Sequence, residues 1–191
     1  MKSLIVSLSA FILVLALSLA VVPQYVVGEE KMTMPFGTED DVEFAKKLWK
    51  AMKGYTDWPF KTDVYLGQSP HGAYLKMFYG VVTVNETPYH IIIKDNYMGK
   101  DKSGNKLSME DVAKDPQKYL AAVTIMLQQK KGYDPDNNDW FWAKYLADGS
   151  LDKNPKGMAM AGRVAKGMDA GCIACHKGAK DSDYLFFNDK M

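Results

Sequence analysis

Residues 73–98 read AYLKMFYGVVTVNETPYHIIIKDNYM and carry the clearest structural pattern in the chain. Aromatic and β-branched residues dominate three parts of this segment, as is typical of strands: Ala73–Tyr79, Val81–Glu86 and Tyr89–Met98. The Thr87-Pro88 pair predicts a break before the last of these strands. The segment therefore predicts β-structure at the centre of the fold.

The last of these strands, Tyr89–Met98, has two chemically different faces, because side chains alternate along a strand. One face carries His90, Ile92, Lys94 and Met98. The other face carries Ile91, Ile93, Asp95 and Tyr97. A lysine on a strand is usually solvated, so the pattern by itself assigns Lys94 to the surface.

Helical signals precede this β-segment. Thr38 is followed by three acids, and this arrangement favours a helix start, since the hydroxyl caps free N–H groups and the acids suit the positive end of the dipole. Apolar residues then recur at helical spacing as far as Met52, and Gly54 ends the run.

The C-terminal half predicts a short helix over Ser108–Lys114 and a strand over Trp140–Leu146. Leu120–Gln129 is ambiguous, because its alanines and leucines suit a helix while its β-branched residues favour a strand. We interpret it as a strand that forms a hairpin with Trp140–Leu146. The polar segments Gly99–Gly104 and Gly132–Asp139 predict turns. The predicted fold class is therefore α+β, predominantly an antiparallel β-sheet with a few helices.

Composition limits the class of protein. The 191 residues are 47% hydrophobic, which suits one domain with a real core, and 24 basic residues nearly balance 23 acidic ones. This balance excludes a disordered chain and a strongly basic nucleic-acid-binding protein. Arg163 is the only arginine, and nucleic-acid sites commonly use arginine forks, so we expect no nucleic-acid partner.

The N-terminus resembles a targeting segment. Lys2 precedes an uncharged run from Leu4 to Ala20, and a basic start followed by an apolar stretch is typical of a secretory signal. Cleavage is expected after Ala20 or Gly28. The alternative is an uncleaved membrane anchor, since residues 4–22 are of borderline length for a span. We therefore predict a signal peptide over residues 1–28, a single domain over residues 29–191 and a periplasmic or otherwise exported location.

The pentapeptide Cys172-Ile173-Ala174-Cys175-His176 is a CxxCH motif. Two thiols at this spacing bind the vinyl groups of one haem, and the adjacent histidine becomes the proximal iron ligand. The sequence thus predicts one covalent haem c per chain, held by Cys172 and Cys175, with His176 on the iron. The alternative is a redox CxxC or a disulfide, although the βαβ context of a thioredoxin-type motif is absent.

The position of CxxCH near the C-terminus narrows the class of cytochrome. Small c-type electron carriers place the motif early and a methionine ligand far downstream, whereas Met191 is the only methionine after His176. Four-helix cytochromes c′ also carry a C-terminal CxxCH, but the predicted strands argue against a helical bundle.

Taken in order, several segments resemble the cytochrome P-460 / cytochrome c′-beta family: Ser69–Gly72, Ile91–Asp95, Gly132–Pro135, Asp139–Trp142, Cys172–His176 and Ser182–Phe186. The resemblance implies a homodimer in which an antiparallel sheet covers a five-coordinate haem. P-460 members oxidise hydroxylamine with a haem cross-linked to a lysine. The c′-beta members lack this bond and bind nitric oxide or other small gases behind a hydrophobic cap.

This resemblance assigns roles to four further residues. Lys94 falls at the position of the cross-linking lysine, and Lys76 falls where P-460 proteins carry a distal arginine. Asp183 matches the distal carboxylate that handles substrate protons, a role that general acid–base chemistry requires. Phe78 is the expected distal cap. Lys76 is a departure from the family, because a lysine keeps the charge but lacks the planar fork of arginine.

Other ligands and functions stay open at this stage. His71 could be a sixth iron ligand, a distal proton donor or a turn residue, while His90 is expected to be an ordinary strand residue. Methionines near the haem are expected to fill gaps rather than bind iron. We predict oxidation of hydroxylamine with electron transfer to a partner cytochrome. The alternatives are a nitric-oxide- or gas-binding protein, a simple electron carrier, and a haem-free thiol redox protein.

Overall fold

A computed structural model describes residues 35–186, and within them six strands form one antiparallel sheet in sequence order. The strands are β1 (Tyr65–Leu66), β2 (Tyr74–Val84), β3 (Thr87–Tyr97), β4 (Leu120–Gln128), β5 (Trp140–Leu146) and β6 (Ala161–Gly162). The helices in this part of the chain are α1 (Glu39–Ala51), α2 (Met109–Lys114), α3 (Pro116–Tyr119) and α4 (Cys172–His176). Short 3₁₀ turns cover Tyr55–Asp57, Pro135–Asn137 and Lys177–Ser182. The predicted α+β class with an antiparallel sheet is confirmed.

The predicted signal peptide over residues 1–28 lies outside the described residues. Within residues 35–186, none of the helices is long and apolar enough to cross a membrane.

The β2–β3 hairpin differs from the sequence prediction at its turn. Asn85 and Glu86 form its two-residue loop with positive φ angles of 48° and 64°, the conformation that matches the twist of paired strands. The expected break at Thr87-Pro88 is wrong, because these residues pair with Val84 and Thr83 at the start of β3.

The expected division of the first strand at Gly80 is also wrong, since β2 continues through it. The glycine is needed because Trp58 packs on the strand at this point. A Cβ added to Gly80 would lie 2.5 Å from the indole ring of Trp58. The glycine therefore marks a close approach rather than a strand end.

The ambiguous Leu120–Gln129 segment is a strand, as predicted, and it pairs antiparallel with β5. Thr124 lies opposite Lys144 on β5 and opposite Lys94 on β3, so these three residues share one face of the sheet.

Helix α1 begins where the sequence predicts, with a capping box. Thr38 Oγ1 accepts a hydrogen bond from the Asp41 N–H at 3.2 Å, and the Asp41 carboxylate accepts one from the Thr38 N–H at 3.3 Å. The buried residues Ala45 and Leu48 turn one face of the helix towards the sheet. Ser108 and Asp111 form the same reciprocal cap on α2.

The two faces of the sheet cover different cores. The face packed against α1, here called the helix face, carries the larger core: Phe78, Val82, Ile91, Ile93, Ile125 and Phe141. The opposite face, here called the motif face, packs Met126, Trp140 and Trp142 against Ile173 of α4 and the following segment. The predicted alternation along β3 is confirmed for Ile91 and Ile93, which lie in the helix-face core, and for Lys94, which lies on the motif face. The placement of Met98 with Lys94 is wrong, because β3 ends at Tyr97 and Met98 packs against the helix-face core.

Candidate functional site

Helix α4 places the chemical motif in one turn over the motif face. Residues at positions i, i+3 and i+4 share one side of a helix, so Cys172, Cys175 and His176 are neighbours. Both cysteines are free thiols, Cys172 half-buried and Cys175 exposed. Gly171 precedes them with a φ of 124°, and a Cβ there would lie 2.3 Å from the Ala165 side chain. The chain can therefore enter α4 at this angle only through a glycine.

Cys172 lacks the lowered thiol pKa that is typical of a redox-active CxxC motif. Burial raises the pKa of Cys172 to about 11, so this thiol stays protonated at neutral pH. Catalytic CxxC motifs instead lower the pKa of one cysteine to stabilise the thiolate. The local environment thus disfavours the thioredoxin-type alternative.

His176 is held in one tautomer by the backbone that follows it. Its Nδ1 lies 2.6 Å from the carbonyl oxygen of Tyr184, and a carbonyl only accepts, so Nδ1 carries the proton. Burial lowers the pKa of His176, which keeps the imidazole neutral. A neutral ring with a protonated, hydrogen-bonded Nδ1 leaves the Nε2 lone pair for a metal, as is usual for ligating histidines.

Asp183 anchors the segment that supplies this carbonyl. Its Oδ1 accepts hydrogen bonds from Asn138 Nδ2 at 2.8 Å and from Trp140 Nε1 at 3.2 Å. Asp183 itself has a φ of 54°, which turns the chain back towards α4. The structure thus places Asp183 beside the loop before β5, where it positions Tyr184 and through it His176.

Lys94 is brought to the same site from β3. It is half-buried on the motif face, and burial lowers the pKa of its amine. Its positive charge also contributes to the lowered pKa values of His71 and His176. Asn96, two residues along β3 on the same face, lies 2.9 Å from His71 Nδ1, and the His71 ring is 6.2 Å from that of His176. The sheet and α4 therefore bring together the predicted cross-linking lysine and the predicted iron ligand.

His71 approaches the site from the loop before β2. The centroid of its ring lies 6.2 Å from that of His176, and the two ring planes are inclined by 82°. Its Nδ1 lies 2.9 Å from Asn96 Oδ1, and burial lowers its pKa to about 4. His71 is therefore neutral and oriented at physiological pH.

Sequence reasoning missed Asn96, which organises this part of the site. The side chain is buried, and its Nδ2 donates to the Lys94 carbonyl at 2.7 Å and to Thr124 Oγ1 at 3.1 Å. Its Oδ1 also accepts from the Gly72 N–H at 3.2 Å. The alternation that placed Lys94 on one face would have placed Asn96 there too, since they are two residues apart.

Lys76 and Phe78 do not reach this site, because β2 turns both side chains to the helix face. Phe78 is buried there against Tyr55, with ring centroids 5.1 Å apart. Lys76 lies opposite Asp95 in the ladder, and its amine is 5.7 Å from the Phe78 ring centroid. The sheet separates both residues from His176.

The remaining candidates occupy ordinary positions. His90 is exposed at the far end of the same face of β3. Met126, Met158 and Met160 pack into the motif-face core, as gap-filling methionines would.

The chemistry of the described residues is suited to binding a haem. The CxxCH turn presents two thiols and an available histidine nitrogen on one side. Trp142 packs on the His176 ring at a centroid distance of 4.8 Å. Its indole N–H is buried without a hydrogen-bond partner among the described residues. A buried donor without a partner beside His176 is expected where the partner belongs to a bound group.

Comparison with known proteins gives one match. The sequence model of the family described as cytochrome P460 matches residues 89–187, about half of the chain. The matched region contains Lys94, Cys172, Cys175, His176 and Asp183, whereas His71 precedes it. A search of curated proteins and a search of solved structures give no significant match.

Proposed function

This chain belongs to the cytochrome P460 family of haem c cytochromes, and on that premise we propose that it is an exported protein that oxidises hydroxylamine. The electrons pass to a partner cytochrome. The observation that carries the proposal is the position of Lys94, half-buried on the motif face, against which α4 packs. In this position the lysine amine can contact a bound haem instead of pointing into solvent.

The proposal assigns the haem to the CxxCH turn, one per chain. The thiols of Cys172 and Cys175 form the two thioether links, and His176 Nε2 binds the iron. When bound, the haem supplies the redox chemistry, and its electronics respond to axial ligation, hydrogen bonding and distortion of the macrocycle.

Lys94 is the proposed site of the lysine–porphyrin bond of hydroxylamine-oxidising relatives. Burial lowers the pKa of the amine, which increases the fraction of the neutral, nucleophilic form. Its strand is the third in a ladder of six and is paired on both sides, so the backbone of Lys94 is fixed. A fixed backbone and a partly desolvated amine suit a specific covalent bond.

Asp183 receives a positioning role in this proposal instead of proton transfer. Its carboxylate is already engaged with Asn138 and Trp140. The next residue is Tyr184, whose carbonyl orients His176 and whose hydroxyl donates to the Asp136 carbonyl at 3.1 Å.

A second copy of the chain is the proposed structural partner. Exposed apolar side chains lie along the β1–β2 edge of the sheet, namely Phe60, Leu66 and Val81, which are 71%, 67% and 55% exposed. Burial of such residues between two copies would give a hydrophobic contact. Sedimentation analysis of the purified protein distinguishes a dimer from a monomer.

Hydroxylamine-dependent reduction of an added cytochrome tests the proposed activity, with ferrous absorption spectra recorded in parallel. The wild-type protein is expected to turn over and to show a Soret band shifted to the red of ordinary c-type haem. Lys94→Met should lose the shift and most of the activity. Lys130→Met, which removes an exposed lysine, should change neither.

An ordinary c-type Soret band in the wild-type protein would contradict the cross-link. If the protein also bound nitric oxide tightly without oxidising hydroxylamine, the gas-binding alternative would replace the proposed activity.

A further inference from the structure

We propose that the imidazole of His71 binds the haem iron opposite His176 in the resting protein, so that substrate or gas must displace it. The inference rests on the proposed haem site and deepens it. It differs from the open, five-coordinate site that the family resemblance implies.

The separation of the two rings fits a shared metal. A histidine–metal bond is about 2 Å long, and a ring nitrogen lies about 1 Å from its ring centroid, so two imidazoles on opposite sides of one metal have centroids about 6 Å apart. The rings of His71 and His176 have centroids 6.2 Å apart, with planes inclined by 82°. The observed separation matches that of two imidazoles bound to one metal.

The hydrogen bonds of both rings leave the nitrogen that a metal needs. Asn96 Nδ2 donates to two oxygens, so its Oδ1 is the acceptor that faces His71 Nδ1. His71 therefore carries its proton on Nδ1, and Nε2 keeps its lone pair. His176 has the same tautomer through the Tyr184 carbonyl. Two neutral histidines with oriented Nδ1–H groups are the usual form of metal-binding imidazoles.

The placement of His71 in the chain makes it a displaceable ligand. His71 lies in the turn before β2, outside the hydrogen-bonded ladder, whereas Asn96 lies inside β3. Release of His71 requires loss of the hydrogen bonds that His71 Nδ1 and Gly72 N–H donate to Asn96 Oδ1, and leaves the sheet intact. Local opening of such a segment costs less than opening of a paired strand. The resting protein would thus keep its iron covered until a stronger ligand replaces the histidine.

Electron paramagnetic resonance and absorption spectra of the ferric protein test the proposal. The wild-type protein should be low-spin with two nitrogen ligands. His71→Ala should become high-spin, and added imidazole should restore the low-spin state. His90→Ala, which removes an exposed histidine on the same strand face as Lys94, should match the wild-type spectrum.

Carbon monoxide binding to the ferrous wild-type protein provides a test that needs no variant. If His71 must leave first, the observed rate should saturate at high carbon monoxide concentration, at the rate of His71 release. If the bound form outweighs the open form about tenfold, His71→Ala should bind carbon monoxide about tenfold more tightly.

A high-spin ferric wild-type protein whose carbon monoxide binding rate rises linearly would overturn the proposal, as would a low-spin state that persists in His71→Ala. These readouts do not depend on hydroxylamine turnover, so failure of the proposed activity and failure of His71 ligation are separate results.

Discussion

Asn96 Oδ1 accepts the hydrogen bond of His71 Nδ1 at 2.9 Å from inside the central sheet. The same side chain donates to the Lys94 carbonyl and to Thr124. One buried amide thus orients the loop histidine and braces the strand that carries the lysine. The orientation of His71 and the position of the strand that carries Lys94 therefore depend on Asn96, although its side chain is uncharged.

Asn96→Leu should destabilise the protein by about 2 kcal/mol, because it leaves buried hydrogen-bonding groups without partners. It should also free His71 to adopt the other tautomer, which weakens any low-spin signal from the haem. Denaturant unfolding and ferric spectra measure the two effects. Asn105→Ala removes an amide from an exposed turn and should cost less than about 1 kcal/mol. Equal losses in the two variants would contradict the role given to Asn96.

Asp183→Ala should destabilise the protein by about 1–2 kcal/mol through loss of the hydrogen bonds from Asn138 and Trp140. It should also loosen the Tyr184 carbonyl and so disturb the proximal side of the haem spectrum. Asp181→Ala is the matched control, since Asp181 is exposed on the same turn and should change stability by less than about 0.5 kcal/mol. A positioning role fails if Asp183→Ala keeps wild-type stability and spectra.

The titration of the Asp95 carboxyl should lower the free energy of unfolding as pH rises. Burial raises the pKa of this carboxyl, although the hydroxyls of Tyr55 and Tyr97 and the nearby Lys76 charge oppose the shift. The folded state therefore keeps a proton that the unfolded chain has already released, and this contribution declines from about pH 4 upwards, through the folded-state pKa.

Asp95→Asn lacks this titration, so urea unfolding of both proteins across a pH series isolates it. The free energy of unfolding of the wild-type protein, minus that of the variant, should decrease with pH. An increase with pH would show that the carboxylate is the favoured form.

Gly80→Ala should cost about 1–3 kcal/mol, because the new methyl group overlaps the Trp58 ring. Trp58→Leu should relieve much of this cost, and a double-mutant cycle on thermal unfolding gives the coupling energy. Gly178→Ala meets only an ordinary contact at 3.5 Å and should be close to neutral. Additive effects at Gly80 and Trp58 would contradict the close approach.

The sequence predicted the architecture of the sheet but not all of the residues that meet at the site. Alternation along β3 correctly separated Lys94 from Ile93, because successive side chains of a strand point to opposite faces of the sheet. The family resemblance assigned Lys76 and Phe78 to the haem site, whereas the structure puts both on the face opposite Lys94. Their face depends on the length of the β2–β3 loop. A two-residue loop puts Lys76 and Lys94 on opposite faces, and a three-residue loop would have put them together.

His71 and Asn96 illustrate a different limit. Their contact joins a loop to a strand 25 residues away, and periodicity carries no information about such long-range approaches. The CxxCH motif, in contrast, is local, so its chemistry could be read directly from the sequence.

The most direct test of the account is the intact mass of the purified chain after denaturation, recorded with its ferrous absorption spectrum. The account predicts a mass above that of the polypeptide by one haem, which Cys172→Ala/Cys175→Ala removes, and a red-shifted Soret band, which Lys94→Met removes. A polypeptide mass without haem, from cells that attach haem to other exported cytochromes, would contradict the central claim.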